Sequence, residues 1–235
     1  MAEKSKIEWT ESTWNPVTGC TKISEGCQHC YAERMTRRLY AMGQKKYQNC
    51  FDVTLHEECL NEPIMWKKPQ TIFVCSMSDL FHKDVPDEFI VKVFNTMNKA
   101  YWHKFQVLTK RAERLEKISS KLSWTPNIWL GVTVESDEQK KRIPYLVNTP
   151  AYIKYLSIEP MITEIKNLSL DNINWVIVGG ESGPGARPIQ EDWIISIRDN
   201  CIENKIPFFF KQWGGVNKKI NGCTLQGRQW KELPV

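Results

Sequence analysis

The sequence contains no apolar run long enough to cross a membrane as a helix, which excludes a helical membrane span. Its opening segment, MAEKSKIEWTESTW, mixes both charge signs and has no apolar centre. It does not read as a secretion signal, and the cytoplasm is the default location. Internal repeats and low-complexity tracts are absent, which excludes solenoid arrays and linker-like chains. Charge of one sign does not dominate: the net charge is +5, a mild basic bias that permits a nucleic-acid partner without demonstrating one. The segment VGGESGPGARP is rich in glycine but lacks the GxGxxG order and the lysine-serine pair of a P-loop.

What is present is a globular composition, 41% apolar and 25% charged over 235 residues. One domain is expected over 1–235, with a cysteine loop at 15–31 and a C-terminal extension from about 214 to 235. Strands are expected near 7–15 and at 71–75, 105–110, 127–136, 152–160, 173–182 and 206–215. Helical spacing fills 89–102, 111–122, 137–147 and 191–205. Near-continuous apolar strands alternating with helices read as buried parallel strands. Two α/β architectures fit, a doubly wound sheet or a partial or full TIM-type barrel of parallel strands with outer helices, and the barrel is the expectation. Polar residues recur just past the strand ends: Ser76, Ser78 and Asp79; Thr109 and Lys110; Thr133 and Glu135; Glu159; Gly179, Gly180 and Glu181; Lys211 and Gln212. In a parallel barrel these share one rim, and that rim is where such folds place chemistry.

Eight cysteines are present, and three of them, Cys20, Cys27 and Cys30, crowd one stretch. In a chain without a secretion signal, metal ligation explains such a cluster better than disulfides. Three chemistries remain open. A structural zinc site needs a fourth ligand, from Cys50, Cys59, a distant cysteine or, with difficulty, His29. A [4Fe–4S] cluster held by three thiolates leaves one iron open for a small molecule. A redox dithiol would use Cys27-Gln28-His29-Cys30 alone. Cys75 and Cys201 stand in apolar patterns and are expected to be buried thiols.

The stretch NPVTGC…GCQHCYAERM resembles the start of radical S-adenosylmethionine (radical SAM) enzymes, and most of all the NP-x-x-GC…C-x-x-CYA arrangement of spore-photoproduct-lyase-like members. Over nearly its full length the chain resembles the phage Gp37/Gp68 family, a radical-SAM-like family. LHEECLNEPIMWKKP, FVCSMSDLFH, VGGESGPGARP, FFFKQWGG and GRQWKELP carry that likeness. The resemblance implies that Cys20, Cys27 and Cys30 hold a [4Fe–4S] cluster, that S-adenosyl-L-methionine is the second cofactor, and that Tyr31 packs near its adenine. It also implies a reducing partner such as flavodoxin or ferredoxin. Here the gap between the first two cysteines holds six residues, TKISEG, against three in the commonest motif. The usual glycine-glycine-glutamate after the second strand is replaced by Ser76-Met77-Ser78-Asp79, which is expected to meet the cofactor's ammonium or carboxylate. Gly179, Gly180 and Glu181 come late in the chain and are expected near the adenine, the ribose or the substrate.

Thr133, Glu135 and Glu159 are further cofactor candidates, with Glu135 or Glu159 bonding ribose hydroxyls. Lys110 is a candidate for a substrate phosphate and Cys75 for a radical donor. The stretch 99–122 is rich in Lys and Arg, and its aromatics are suited to stacking on bases. A nucleic acid or nucleotide-like substrate, undergoing repair or base modification, is the concrete expectation. The contrasting one is a zinc-stabilised binding module without catalysis.

Overall fold

Apolar runs become strands covered on both faces, and the segments of helical spacing between them become the covering helices. The structure, a computed structural model, describes residues 3–5 and 7–234; Met1, Ala2, Lys6 and Val235 of the expected domain lie outside the described residues. The chain first forms β1 (Glu3–Lys4), β2 (Ser12–Trp14), β3 (Val17–Thr18), α1 (Tyr31–Ala41), β4 (Thr54–Leu55) and α2 (Glu62–Met65). Then come β5 (Thr71–Val74), α3 (Asp87–Lys99), β6 (Lys104–Thr109), α4 (Ala112–Ser119), β7 (Ile128–Thr133) and α5 (Ile143–Val147). Last are β8 (Ile153–Ile158), β9 (Trp175–Gly179), α6 (Glu191–Glu203), β10 (Phe208–Gln212), α7 (Lys218–Asn221), β11 (Thr224–Leu225) and β12 (Arg228–Gln229).

The main sheet runs β1-β2-β5-β6-β7-β8-β9-β10, and only the β1 pairing is antiparallel. Each of the seven parallel strands lies beside the one before it in the chain. A doubly wound sheet must reverse its strand order part-way. This one never does, so it curls into a partial barrel with surrounding helices. β3 and β4 form a separate two-stranded ribbon, as do β11 and β12.

Alternation along each strand divides the core in two. Ile128, Leu130 and Val132 of β7, like Val176 and Val178 of β9, join the large cluster formed with the helices. Their neighbours Trp129, Tyr155, Trp175, Ile177 and Phe209 line the inner face, with Phe73 and Leu108 packed against them. Trp9 plugs this inner face, with ring centroids 4.8 Å from Phe73 and 6.3 Å from Trp175. The inward turn at residues 7–9 explains why the strand expected near 7–15 shrinks to Ser12–Trp14. Of the helices, α3 shows the logic best. Pro86 precedes its first turn with a fixed φ, Asp87 and Glu88 suit its positive end, and Phe89, Ile90, Val93, Phe94 and Met97 bury one face.

The C-terminal extension has a structural job the sequence did not announce. Residues 230–232 run antiparallel along the free edge of β10, with Phe210 N–H donating to Trp230 O at 2.9 Å and Glu232 N–H to Phe208 O at 3.2 Å. An uncovered edge strand invites pairing with another chain, and this segment blocks it.

The basic stretches expected to meet nucleic acid are in large part engaged within the fold. Arg114 binds the carbonyls of His82 and Val85 and the Asp87 carboxylate. Lys121 pairs with Asp87, and Lys104 lies over the Trp129 ring. In the tail Arg228 stacks on Trp230 and Lys231 pairs with Glu8. The helix expected over 137–147 begins as a 3₁₀ turn over Asp137–Arg142 before α5.

Candidate functional site

Seven parallel strands put seven C-terminal ends on one rim. The cysteine loop crosses that rim and touches the strand ends in their own order. Asn15 Oδ1 accepts from the Ser76 hydroxyl and from Met77 N–H, both at 3.1 Å, just past β5. Gly19 N–H donates to Met77 O at 3.0 Å. Thr21 O then accepts from Arg111, past β6, at 3.0 Å. The Ser24 hydroxyl donates to Glu135, past β7. Glu25 O accepts from Arg187 at 3.0 Å, and α1 returns Arg34 to Ser182 O at 2.9 Å, both in the segment after β9. Cys20, Cys27 and Cys30 all lie on this arch and are free, half-buried thiols.

Around Cys20 the arch is held by charge. The Arg111 guanidinium donates to Cys20 Sγ at 3.5 Å and to Asp79 Oδ2 at 3.1 Å. Burial pushes the Cys20 thiol up to about 11, against the downward pull of Arg111. His82 accepts Asp84 N–H on Nδ1 at 3.2 Å, so its Nε2–H faces the Thr21 hydroxyl at 2.8 Å. Burial and Arg111 hold that imidazole below its ordinary value. Cys30 sits at the N-cap of the eleven-residue helix α1, whose positive dipole end favours negative charge beside it.

Two carboxylates lock the far side of the arch. Glu135 is fully buried between the Ser24 hydroxyl and Arg142 Nη1, the latter at 2.6 Å. Burial alone would raise its pKa, but Lys110, Arg142 and the Ser24 hydroxyl reverse the direction and lower it. Glu181 takes three bonds from Arg187, one from its backbone N–H and two from the guanidinium, at 2.7 to 2.9 Å. Burial again opposes, and the Arg187 bonds lower its pKa.

Below the arch, on the mouth, Glu159 Oε1 accepts from Lys211 Nζ at 2.6 Å and from Gln212 Nε2 at 2.9 Å. A Cβ at Gly179 would meet Glu159 and Lys211 in ordinary van der Waals contact, at 3.4 to 3.5 Å, so this glycine lies against the pair without being required by it. Gly180 and Gly214 serve another close approach. A Cβ on Gly180 would lie 2.0 Å from Trp213 O, and one on Gly214 2.2 Å from Glu181 O. The chain after β9 and the chain after β10 thus touch backbone to backbone.

The remaining expected residues divide. Asp79 is buried and accepts from Phe81 N–H, the Thr109 hydroxyl, Lys110 N–H and Arg111, all at 2.7 to 3.1 Å. It anchors the turn after β6. Ser76 and Ser78 bond Asn15 and Val17 O and knit the rim. Thr133 is buried, and its carbonyl receives Arg142 at 2.7 Å. Lys110 acts electrostatically on Glu135. Cys75 is buried in the outer core with Trp14 and Val17, and burial pushes its thiol up to about 12. Tyr31 starts α1 with its ring exposed. Sequence reasoning missed Ser24, Arg111, Arg142 and, as a partner of Glu181, Arg187. The signal for Arg111 was its place directly after the β6 end; Ser24 and Arg142 carried none.

Among the described residues, no group of three or more His, Cys, Asp or Glu side chains is gathered closely enough to hold one metal ion. No helix among them is long and apolar enough to cross a membrane. A family model described as a protein of unknown function, DUF5131, matches residues 4–234. The chain belongs to the DUF5131 family. That description differs from the phage Gp37/Gp68 name the motifs resembled. No curated protein matches the DUF5131 chain. Among solved structures it is similar to a cysteine-to-serine variant of spore photoproduct lyase, with a TM-score of 0.52 and 11% identity. The likeness covers 76% of this chain and 58% of that one, so the chain spans less than two thirds of that protein. At this identity the likeness concerns the fold, and it agrees with the partial barrel.

Proposed function

We propose that this DUF5131 chain is a radical SAM enzyme in which Cys20, Cys27 and Cys30 hold a [4Fe–4S] cluster. One observation carries the reading: the three thiols ride on a single arch spanning the C-terminal rim of a half-barrel whose fold is similar to that of spore photoproduct lyase. In its chemistry the donor set fits the group, while the described residues do not draw the three thiols together around a single ion. Three thiolates suit iron–sulfur ligation, and Arg111 beside Cys20 and the α1 terminus at Cys30 offset the negative charge of such a centre. When bound, the cluster supplies the electron that cleaves S-adenosylmethionine to methionine and a 5′-deoxyadenosyl radical.

The chain's own residues bind, orient and shield. Glu135 and Glu181 clamp the arch and keep water from beneath it. Glu159, Lys211, Gly179 and Gly180 shape the mouth, with Tyr31, Ser76, Ser78 and Thr133 around its border. Lys110 and Lys211 supply positive charge for a phosphate of a nucleotide, DNA or RNA substrate. A flavodoxin or ferredoxin serves as electron source.

Anaerobic reconstitution with iron and sulfide tests this. The wild-type chain should turn brown, bind about four irons, and release 5′-deoxyadenosine from S-adenosylmethionine under reduction. Assays with added DNA, RNA or nucleotides should identify the arm that accelerates it. Serine at positions 20, 27 and 30 should abolish iron uptake. Uptake of zinc alone, or intact S-adenosylmethionine with a fully loaded reduced cluster, overturns the proposal.

A further inference from the structure

We propose that Arg111 is a positioning residue that raises the reduction potential of the cluster through its contact with Cys20. The inference rests on the cluster reading above and adds a role for a residue outside the cysteine motif. Arg111 stands at the N-cap of α4, directly after the β6 end. Its Nη1 donates to both Asp79 Oδ2 and Cys20 Sγ, at 3.1 and 3.5 Å. Its Nη2 donates to Thr21 O and the Thr21 hydroxyl, at 3.0 and 3.1 Å. The guanidinium is therefore fixed from two sides, and its side chain is only 11% exposed.

A residue needed only to pin the arch would finish its work at Thr21 and Asp79. The additional contact is to sulfur, the atom that would carry the cluster's charge. Adding one electron makes the cluster more negative; no bond forms or breaks, and the electron comes from a low-potential one-electron donor. A cation and an N–H···S bond at a ligand sulfur stabilise that reduced form and raise the potential. Asp79 behind the guanidinium orients it and offsets part of its charge. Burial limits screening by water, so the effect survives at physiological salt.

The test uses the full chain, reconstituted anaerobically, as wild type, Arg111→Lys and Arg111→Gln. Iron and sulfide content are measured first. The cluster is then titrated with dithionite and followed by electron paramagnetic resonance, which reports the loaded fraction whatever the occupancy. Arg111→Gln should lower the reduction equilibrium constant at least tenfold, which is about 59 mV for one electron. Arg111→Lys keeps the charge but loses the fork, and should fall between. If Arg111→Gln does not fold, Arg111→Lys against wild type carries the measurement. Loaded clusters with the same midpoint in all folded forms overturn this inference and leave the cluster reading intact. A wild-type chain that takes up no iron overturns the cluster reading itself.

Discussion

Replacing Asp79 by asparagine probes how the arch is held, independently of any cofactor. Asp79 accepts four hydrogen bonds, two of them through Oδ2 from Lys110 N–H and Arg111. Asparagine can keep Oδ1 facing Phe81 and Thr109, but its amide then points two donors at two donors. Arg111 and Asp79 have side chains only 11% and 9% exposed, so the guanidinium loses its carboxylate in a largely dry place. Breaking such a pair costs about 3–5 kcal/mol. Arg111 keeps Thr21 O as a partner, which points to the lower end, about 3 kcal/mol. For a chain of this size that is a fall in Tm of about 6–12 °C. Thermal and urea unfolding of the apo chain at pH 7 measure it. Asp79→Asn with Arg111→Gln should be less harmful than the two losses summed, by about 1–3 kcal/mol. A loss below about 1 kcal/mol, or simple additivity, refutes the idea that this pair fastens the arch.

Gly131→Ala would set a Cβ 2.5 Å from the Tyr155 ring, which is fully buried against Trp175. Overpacking of about 1–3 kcal/mol should appear in urea unfolding, and a neutral result would mean that the inner layer is loose. Burial holds His56, His82 and His103 below their ordinary value of 6.5. Their contribution is complete above pH 6.5 and is lost as pH falls, at up to about 1.4 kcal/mol per pH unit for each histidine. Equal urea midpoints at pH 7.5 and 5.5 would contradict this. Glu135 sits below its ordinary 4.5, so its stabilisation is complete above that pH and is lost as pH falls through the folded value. Glu135→Gln should flatten the acid limb of stability, and an unchanged limb would remove Glu135 from its clamping role. Trp230→Ala removes a buried ring packed on Phe208 beside the β10 edge and should cost about 3 kcal/mol. Light scattering should then show self-association if the tail guards that edge.

Local pattern decided much of this protein in advance. Runs such as IWLGVT and WVIVG are apolar throughout because both sides of a parallel strand are covered, so strand, helix and parallel α/β class could be read from the chain. The three cysteines were legible for a similar reason, since their spacing is carried within one loop. What each carboxylate does was decided only by folding. Asp79, Glu135 and Glu181 all looked like cofactor contacts at strand ends, and folding matches each to its own cation: Arg111, Arg142 and Arg187. The tail was legible only as a C-terminal extension, yet it covers the edge of β10. Periodicity records which way a side chain points relative to its own strand or helix. Ion-pair partners and edge covers depend on which elements come to lie side by side, and the curl of the sheet sets that.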